Sequence, residues 1–208
     1  MKVIKPYFVI ESTIDKDYIL SQIEKAGRTA YKSEDKITDD SSKEFVRMII
    51  NRRHLSVLEH QSVTVRIICD RGVSHEIVRH RIAAYTQEST RYCNYTKGKF
   101  DSEITVIKPC TLLEETESYK AWERAMENAE KAYNEMIALG NSPQIARSVL
   151  PNSLKTEIVV TMNLREWRHF FTLRTSIAAH PQMREIAVPL LQEFQNMIPV
   201  VFDDFNKI

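Results

Sequence analysis

The run Arg79-His80-Arg81-Ile82-Ala83-Ala84-Tyr85-Thr86-Gln87-Glu88-Ser89-Thr90-Arg91-Tyr92 gathers basic, amide, hydroxyl and aromatic groups without the apolar spacing of a core helix. A surface with these donors suits an anion. If the helix predicted before Arg79 continues through it, successive residues turn by about 100°, so the basic triplet fans over roughly 200° and reaches two ligands or two subunits. The plainer alternative is an exposed basic turn paired with Glu76 and Glu88, which stabilises little. Ser89 and Arg91, two apart in the loop predicted after the helix, offer a hydroxyl and a guanidinium to one phosphate, and Arg147 adds a second cation.

Composition narrows the chemistry. A chain of 208 residues suits a single domain with a substantial core. Its formal net charge of +1 gives no broad field for nucleic acid, so anion binding must be local. Cys69, Cys93 and Cys110 are odd in number and form no Cys-x-x-Cys pair, which predicts a reduced cytoplasmic protein. The first residues are too polar for a signal peptide, and no apolar run approaches membrane-spanning length. Four glycines, none within two residues of another, build neither Gly-x-Gly-x-x-Gly nor a Walker loop. A dinucleotide would therefore be held by side chains and helix ends.

The elements that must position these residues alternate in type. A strand is predicted over 3–11, and a helix over 18–31 with Asp15 or Asp17 as its cap. A second helix opens at Ser41 and stops near His54, and a strand covers 62–69. Asp70-Arg71-Gly72 is read as a turn into a helix that carries Arg79, whose motif then runs out into a loop. A strand at 103–108 precedes a long helix over 114–139, with Trp122, Met126, Ala129, Tyr133 and Met136 on its apolar side and Gly140 as its stop. A short helix from Ser142-Pro143, a β-branched strand over 156–162 and helices over 164–175 and 181–197 complete the order. This mixed order reads as one α/β or α+β domain over 1–208.

Arg-His-Arg, seven residues, Ser, and then Arg-Tyr resembles the signature of the flavin-dependent thymidylate synthases. Three further blocks in order resemble the same family: His54-Leu55-Ser56-Val57-Leu58-Glu59-His60, then Ala146-Arg147-Ser148-Val149-Leu150-Pro151, then Asn163-Leu164-Arg165 followed by His169-Phe170-Phe171-Thr172-Leu173-Arg174. Ala84 stands where many members carry serine, and Glu76 where some carry glutamine. A carboxylate at position 76 would repel a phosphate, so Glu76 is expected to use its backbone or to face Arg79.

The resemblance implies a central, largely antiparallel sheet flanked by helices, and a homotetramer with active sites shared between subunits. It implies reductive methylation of dUMP to dTMP, with methylenetetrahydrofolate as carbon donor and FAD, reduced by NADPH, as hydride carrier. It assigns FAD to Ser56, Arg79, His80, Arg81, Gln87, Asn163, Leu164, Arg165 and His169, with His54 near flavin or folate. It assigns dUMP to Glu76, Ile77, Val78, Arg79, Gln87, Glu88, Ser89, Thr90, Arg91, Arg147 and Arg174. Arg174 is placed against the uracil ring, where a guanidinium that keeps its proton favours the ionised pyrimidine; the rival role is a structural pair with Glu185.

Other chemistries fit less well. Ser89 lacks a recognisable base and orienting partner for a nucleophile, and Pro109-Cys110-Thr111 lacks the histidine that follows the cysteine in the classical thymidylate synthase's nucleophile segment. His75 and His80 are five apart and about 140° off one another on a helix, the wrong spacing for a zinc helix, so no metal is expected. A nucleic-acid-binding module using these arginines and Tyr85, Tyr92 and Tyr95, or a scaffold built on the 114–139 helix, would remain if neither nucleotide nor chromophore bound.

Overall fold

The computed structural model describes residues 1–100 and 103–205, residue 99 by its backbone alone. The predicted N-terminal strand is two strands, β1 (Lys2–Ile4) and β2 (Tyr7–Ile10). Pro6 lies between them; it brings no backbone N–H to a ladder and so separates two pairing partners. β1 pairs in parallel with β5 (Thr105–Ile107), with Lys2 opposite Thr105. β2 belongs to a four-stranded sheet of order β2-β3-β6-β4, formed with β3 (Ser62–Asp70), β4 (Ala83–Gln87) and β6 (Lys155–Asn163). The Thr64 and Thr161 hydroxyls meet at 2.9 Å, and the Arg71 N–H donates to Leu154 at 3.1 Å. Positions rise along β3 as their partners fall along β6, the mark of an antiparallel pair.

Two compact units divide the chain: residues 1–7, 67–79 and 85–159 in one, and 8–66, 80–84 and 160–208 in the other. The first has a core of Tyr95, Ile104, Val106, Met126, Tyr133 and Leu154, with Trp122 and Met136 packed on it. Met126 and Tyr133 come from α4 (Glu117–Ala138), whose apolar side is the predicted one. It starts at Glu117 rather than 114 because Thr116 caps the Tyr119 N–H at 3.1 Å. Its end is the expected glycine: Gly140, at φ 89°, donates to Ile137 while Asn141 donates to Met136.

In the second unit, α1 (Lys16–Thr29) is capped by Asp15, which accepts from Asp17 and Tyr18. It packs on α2 (Ser41–Asn51) where Gly27 meets Phe45; a Cβ there would lie 2.6 Å from the ring. Trp167, Phe170 and Phe171 of α6 (Leu164–Arg174), Phe194 of α7 (Pro181–Met197) and Phe202 of α8 (Pro199–Phe202) form a buried aromatic cluster.

α2 closes with the same pattern of bonds as α4 but without glycine. His54 donates to Ile49 and Arg53 to Ile50, with Arg53 at φ 57°. A side chain in that left-handed conformation is disfavoured. Arg53→Gly is expected to raise stability by about 0.5–1 kcal/mol, the strain relieved exceeding the entropy glycine adds to the unfolded chain. A urea midpoint that falls would show that the Arg53 side chain contributes more than its backbone costs.

Candidate active site

α3 spans only Arg71–Ile77, so Arg79 does not lie on a helix. Asp70 is no turn residue: it ends β3 and caps α3 by accepting from the Val73 N–H at 2.8 Å. At the other end the Tyr85 hydroxyl donates to the Ile77 carbonyl at 3.0 Å, satisfying a carbonyl the helix leaves open. The loop expected after Arg79 contains β4, an edge strand whose pattern in Ala83-Ala84-Tyr85-Thr86-Gln87 is too weakly apolar to stand out. Arg79 lies in the turn that follows α3, and His80 and Arg81 lie in neither helix nor strand; Arg79 and Arg81 are exposed and His80 is buried, so the triplet does not form the predicted helical fan.

In the first unit β4 delivers Gln87 and the residues after it. Gln87 donates to Ser74 at 2.9 Å and to Thr156 at 3.1 Å. The Glu88 carboxylate accepts from Lys155 at 2.7 Å and from Tyr95 at 3.2 Å. Burial, and then the Glu88 charge, push the Tyr95 phenol upward, so it keeps its proton and donates. Burial works to lower Lys155, but its hydrogen bond to Glu88 and the charges of Glu88 and Glu157 leave it raised. Glu88 thus anchors the chain just before Ser89.

Past that anchor, Ser89 accepts the Arg91 N–H at 3.3 Å, the Arg91 Nε donates to Gln144 at 3.0 Å, and Arg147 reaches Thr90 at 3.4 Å. Gln144 lies on α5 (Pro143–Ala146) and Arg147 follows it, so this short helix holds the Arg91 guanidinium at Gln144 and brings the Arg147 guanidinium to the Thr90 hydroxyl, while the Ser89 hydroxyl meets the Arg91 backbone N–H. Both arginines are exposed, and among the described residues neither has an acidic partner. A cationic, hydroxyl-bearing corner without a counter-charge is suited to a phosphate. The Glu76 carbonyl accepts the Arg79 N–H at 3.2 Å, and the Ile77 side chain is fully buried. Ile77 can therefore offer a ligand only its backbone; Val78 is partly exposed.

In the second unit α6 presents the other predicted residues. Asn163 caps it, its Oδ1 accepting the Glu166 N–H at 2.8 Å. Leu164 is buried and gives its N–H to Gln61. Asn163, Arg165 and exposed His169 line a cleft of about 510 Å³ with Leu55, Glu59 and Ile82. Arg165 is bonded to Glu59, both exposed, a pairing a ligand phosphate could displace at little cost. Ser56 is exposed on the 3-10 turn Leu55–His60, and His54 is exposed at its start.

His80 is 4% exposed and has both ring nitrogens engaged. Its Nδ1 lies 3.2 Å from Glu166 Oε1, and its Nε2 accepts from Arg174 Nε at 3.0 Å. Burial, then the Arg174 charge and then His169 lower the imidazole to about 4, so it is neutral at physiological pH. Burial raises Glu166 against the opposing charges of His169 and Arg165. His80, Glu166 and His169 place potential ligand atoms within 4.8 Å, a grouping the sequence spacing did not reveal. Nothing in the sequence sets Glu166 apart from other helix carboxylates; its partner His80 lies 86 residues away.

The family described as Thymidylate synthase complementing protein matches residues 11–200. A flavin-dependent thymidylate synthase of Pyrococcus abyssi is 39% identical over 160 residues, 76% of this chain and 65% of that protein. The match thus spans just under two thirds of that relative's length. One from Mycolicibacterium vanbaalenii is 35% identical over 212 residues, covering 93% of this chain and 82% of its own. A crystal structure of the UMP/dUMP methylase PolB from Streptomyces cacaoi, bound with 5-Br dUMP, superposes with a TM-score of 0.80 at 26% identity, covering 99% of this chain and 96% of that one. The chain belongs to the flavin-dependent thymidylate synthase family.

Proposed function

We propose that this protein is an FAD-dependent thymidylate synthase, converting dUMP to dTMP with methylenetetrahydrofolate as carbon donor and NADPH as reductant. One observation carries the substrate reading: exposed Arg91 and Arg147 are held at α5, Arg91 on Gln144 and Arg147 on the Thr90 hydroxyl, and among the described residues neither has an acidic hydrogen-bond partner. Such a corner selects a dianionic phosphate. The PolB structure with its bound 5-Br dUMP supports a pyrimidine nucleotide as substrate. The family match from residue 11 to 200 supports 1–208 working as one domain.

The residues of the second unit fit FAD by the chemistry of their donors. Arg165 offers a cation to a pyrophosphate, Asn163 keeps its amide nitrogen for a ring carbonyl, and His169 is an exposed imidazole beside a cleft of about 510 Å³. Arg81 and Ser56, both exposed, extend the set, and Arg79 of the first unit is exposed as well. When bound, FAD supplies the two-electron reduction that turns a transferred methylene into a methyl group. The protein's part is to bind and orient. Arg174 stabilises negative charge on the N3 edge of uracil, while Arg91 and Arg147 hold the phosphate. A homotetramer with shared sites completes the proposal.

The test is the visible spectrum of the purified protein after FAD loading and desalting. Retained flavin that bleaches with anaerobic NADPH, and recovers anaerobically with dTMP formation once dUMP and methylenetetrahydrofolate are added, is expected. A colourless protein across FAD concentrations would remove the proposal.

A further inference from the structure

His80 sits between two exposed arginines, yet its ring is buried against Phe170, with centroids 5.0 Å apart. The proton positions in its contacts follow from chemistry. A guanidinium Nε only donates, so the Arg174 contact at 3.0 Å obliges Nε2 to accept. The ring proton is therefore on Nδ1, facing Glu166 Oε1 at 3.2 Å. Glu166 is held in turn by its own backbone, whose N–H is fixed on Asn163 at 2.8 Å. The result is a directed chain: helix cap, carboxylate, imidazole, guanidinium.

We propose that His80 is a positioning residue for Arg174, locked by Glu166 in the Nδ1–H form so that its Nε2 lone pair fixes the plane of the guanidinium. This rests on the reading of Arg174 as the group that meets uracil. Arg174 ends α6 half-buried, and because Nε carries one proton, an acceptor on it sets the plane of the fork. The assignment moves the His80 ring nitrogens from contact with FAD to support of a neighbouring side chain. It also gives the Arg-His-Arg order a physical sense: the central ring goes inward to a fixed partner and leaves the flanking guanidiniums outside.

Substituting His80 separates the two ends of the chain. His80→Gln reaches far enough to place an amide oxygen near the former Nε2, whereas His80→Asn offers a donor to Glu166 and nothing to Arg174. In the FAD-loaded enzyme, His80→Asn is expected to lower kcat by about 10–100-fold, the scale of a misplaced catalytic group, with a much smaller change in KM for dUMP. His80→Gln recovers most of that loss. A readout independent of turnover is 19F NMR of bound 5-fluoro-dUMP titrated with pH: the N3 ionisation moves to higher pH in His80→Asn and in Arg174→Ala, and returns in His80→Gln. Adding His80→Asn to Arg174→Ala has no further effect, since one residue acts through the other.

Equal losses in His80→Asn and His80→Gln, or additive losses in the double variant, would overturn the positioning role. Should His80→Asn fail to fold, His80→Phe keeps the ring packing on Phe170, removes the acceptor, and carries the same expectations. If Arg174→Ala leaves both kcat and the 19F titration unchanged, the reading of Arg174 falls. If Arg174→Ala is impaired and the acceptor-deleting variant is not, only the positioning role falls.

Discussion

Replacing Arg174 by alanine is expected to lower kcat for dTMP formation by about 10²–10³-fold, the range seen when one preorganised group at a developing charge is removed. Adding carbon to uracil places negative charge on the N3 and carbonyl edge, and a guanidinium that never deprotonates meets that charge without moving a proton. Arg174 is half-buried at the C-terminal end of α6, where a positive charge is also favoured by the helix. Removing it leaves His80 Nε2 without its donor, so a stability loss of about 1–3 kcal/mol accompanies the kinetic one. The two effects separate by experiment. Arg174→Lys restores the charge but not the planar fork, and is expected to recover stability more than rate. Single-turnover kinetics at saturating dUMP read the chemical step, and a well-folded Arg174→Ala enzyme turning over at the parent rate would refute the assignment.

The sequence disclosed the elements whose own residues decide them. α7 begins and ends where predicted, because Pro181 suits the first turn and the apolar face repeats through Phe194. β6 is legible because its β-branched run alternates buried and partly buried positions over its whole length. Residue types alone also single out Arg91, Arg147 and Ser89 for one anion, and the structure sets Arg91 on Gln144 of α5 and Arg147 on Thr90. What stayed hidden depends on distant partners. α3 stops at Ile77 with its last carbonyl held by Tyr85, and β4 is recognisable only as the partner of β6. The hold on the Glu88 carboxylate is hidden as well, because Lys155, which donates to it, lies 67 residues away. His80, flanked by arginines, reads as exposed; the partners that bury it are 86 and 94 residues further along.

The largest stability effect is expected at Trp167, on the same helix as Glu166 and Arg174. Its ring is fully buried, stacked with Phe171 at 5.8 Å and crossed by Phe170 and Phe194 at 5.4 and 5.1 Å. Its indole N–H donates to the Val63 carbonyl at 3.0 Å. Trp167→Ala removes the centre of this cluster and is expected to cost about 3–5 kcal/mol. Because aromatic neighbours on α7 and α8 are themselves packed, they cannot collapse into the space without leaving their own contacts. Trp167→Phe separates packing from polarity: most of the ring remains, the Val63 carbonyl loses its donor, and the expected cost drops to about 1–3 kcal/mol. Denaturant midpoints at one protein concentration and without FAD or nucleotide make the comparison, since anything that binds the folded state shifts them. A Trp167→Ala midpoint close to the parent's would mean that α6 is held by its caps and the His80 chain rather than by its aromatic face, and would transfer the weight of folding to the residues that orient Arg174.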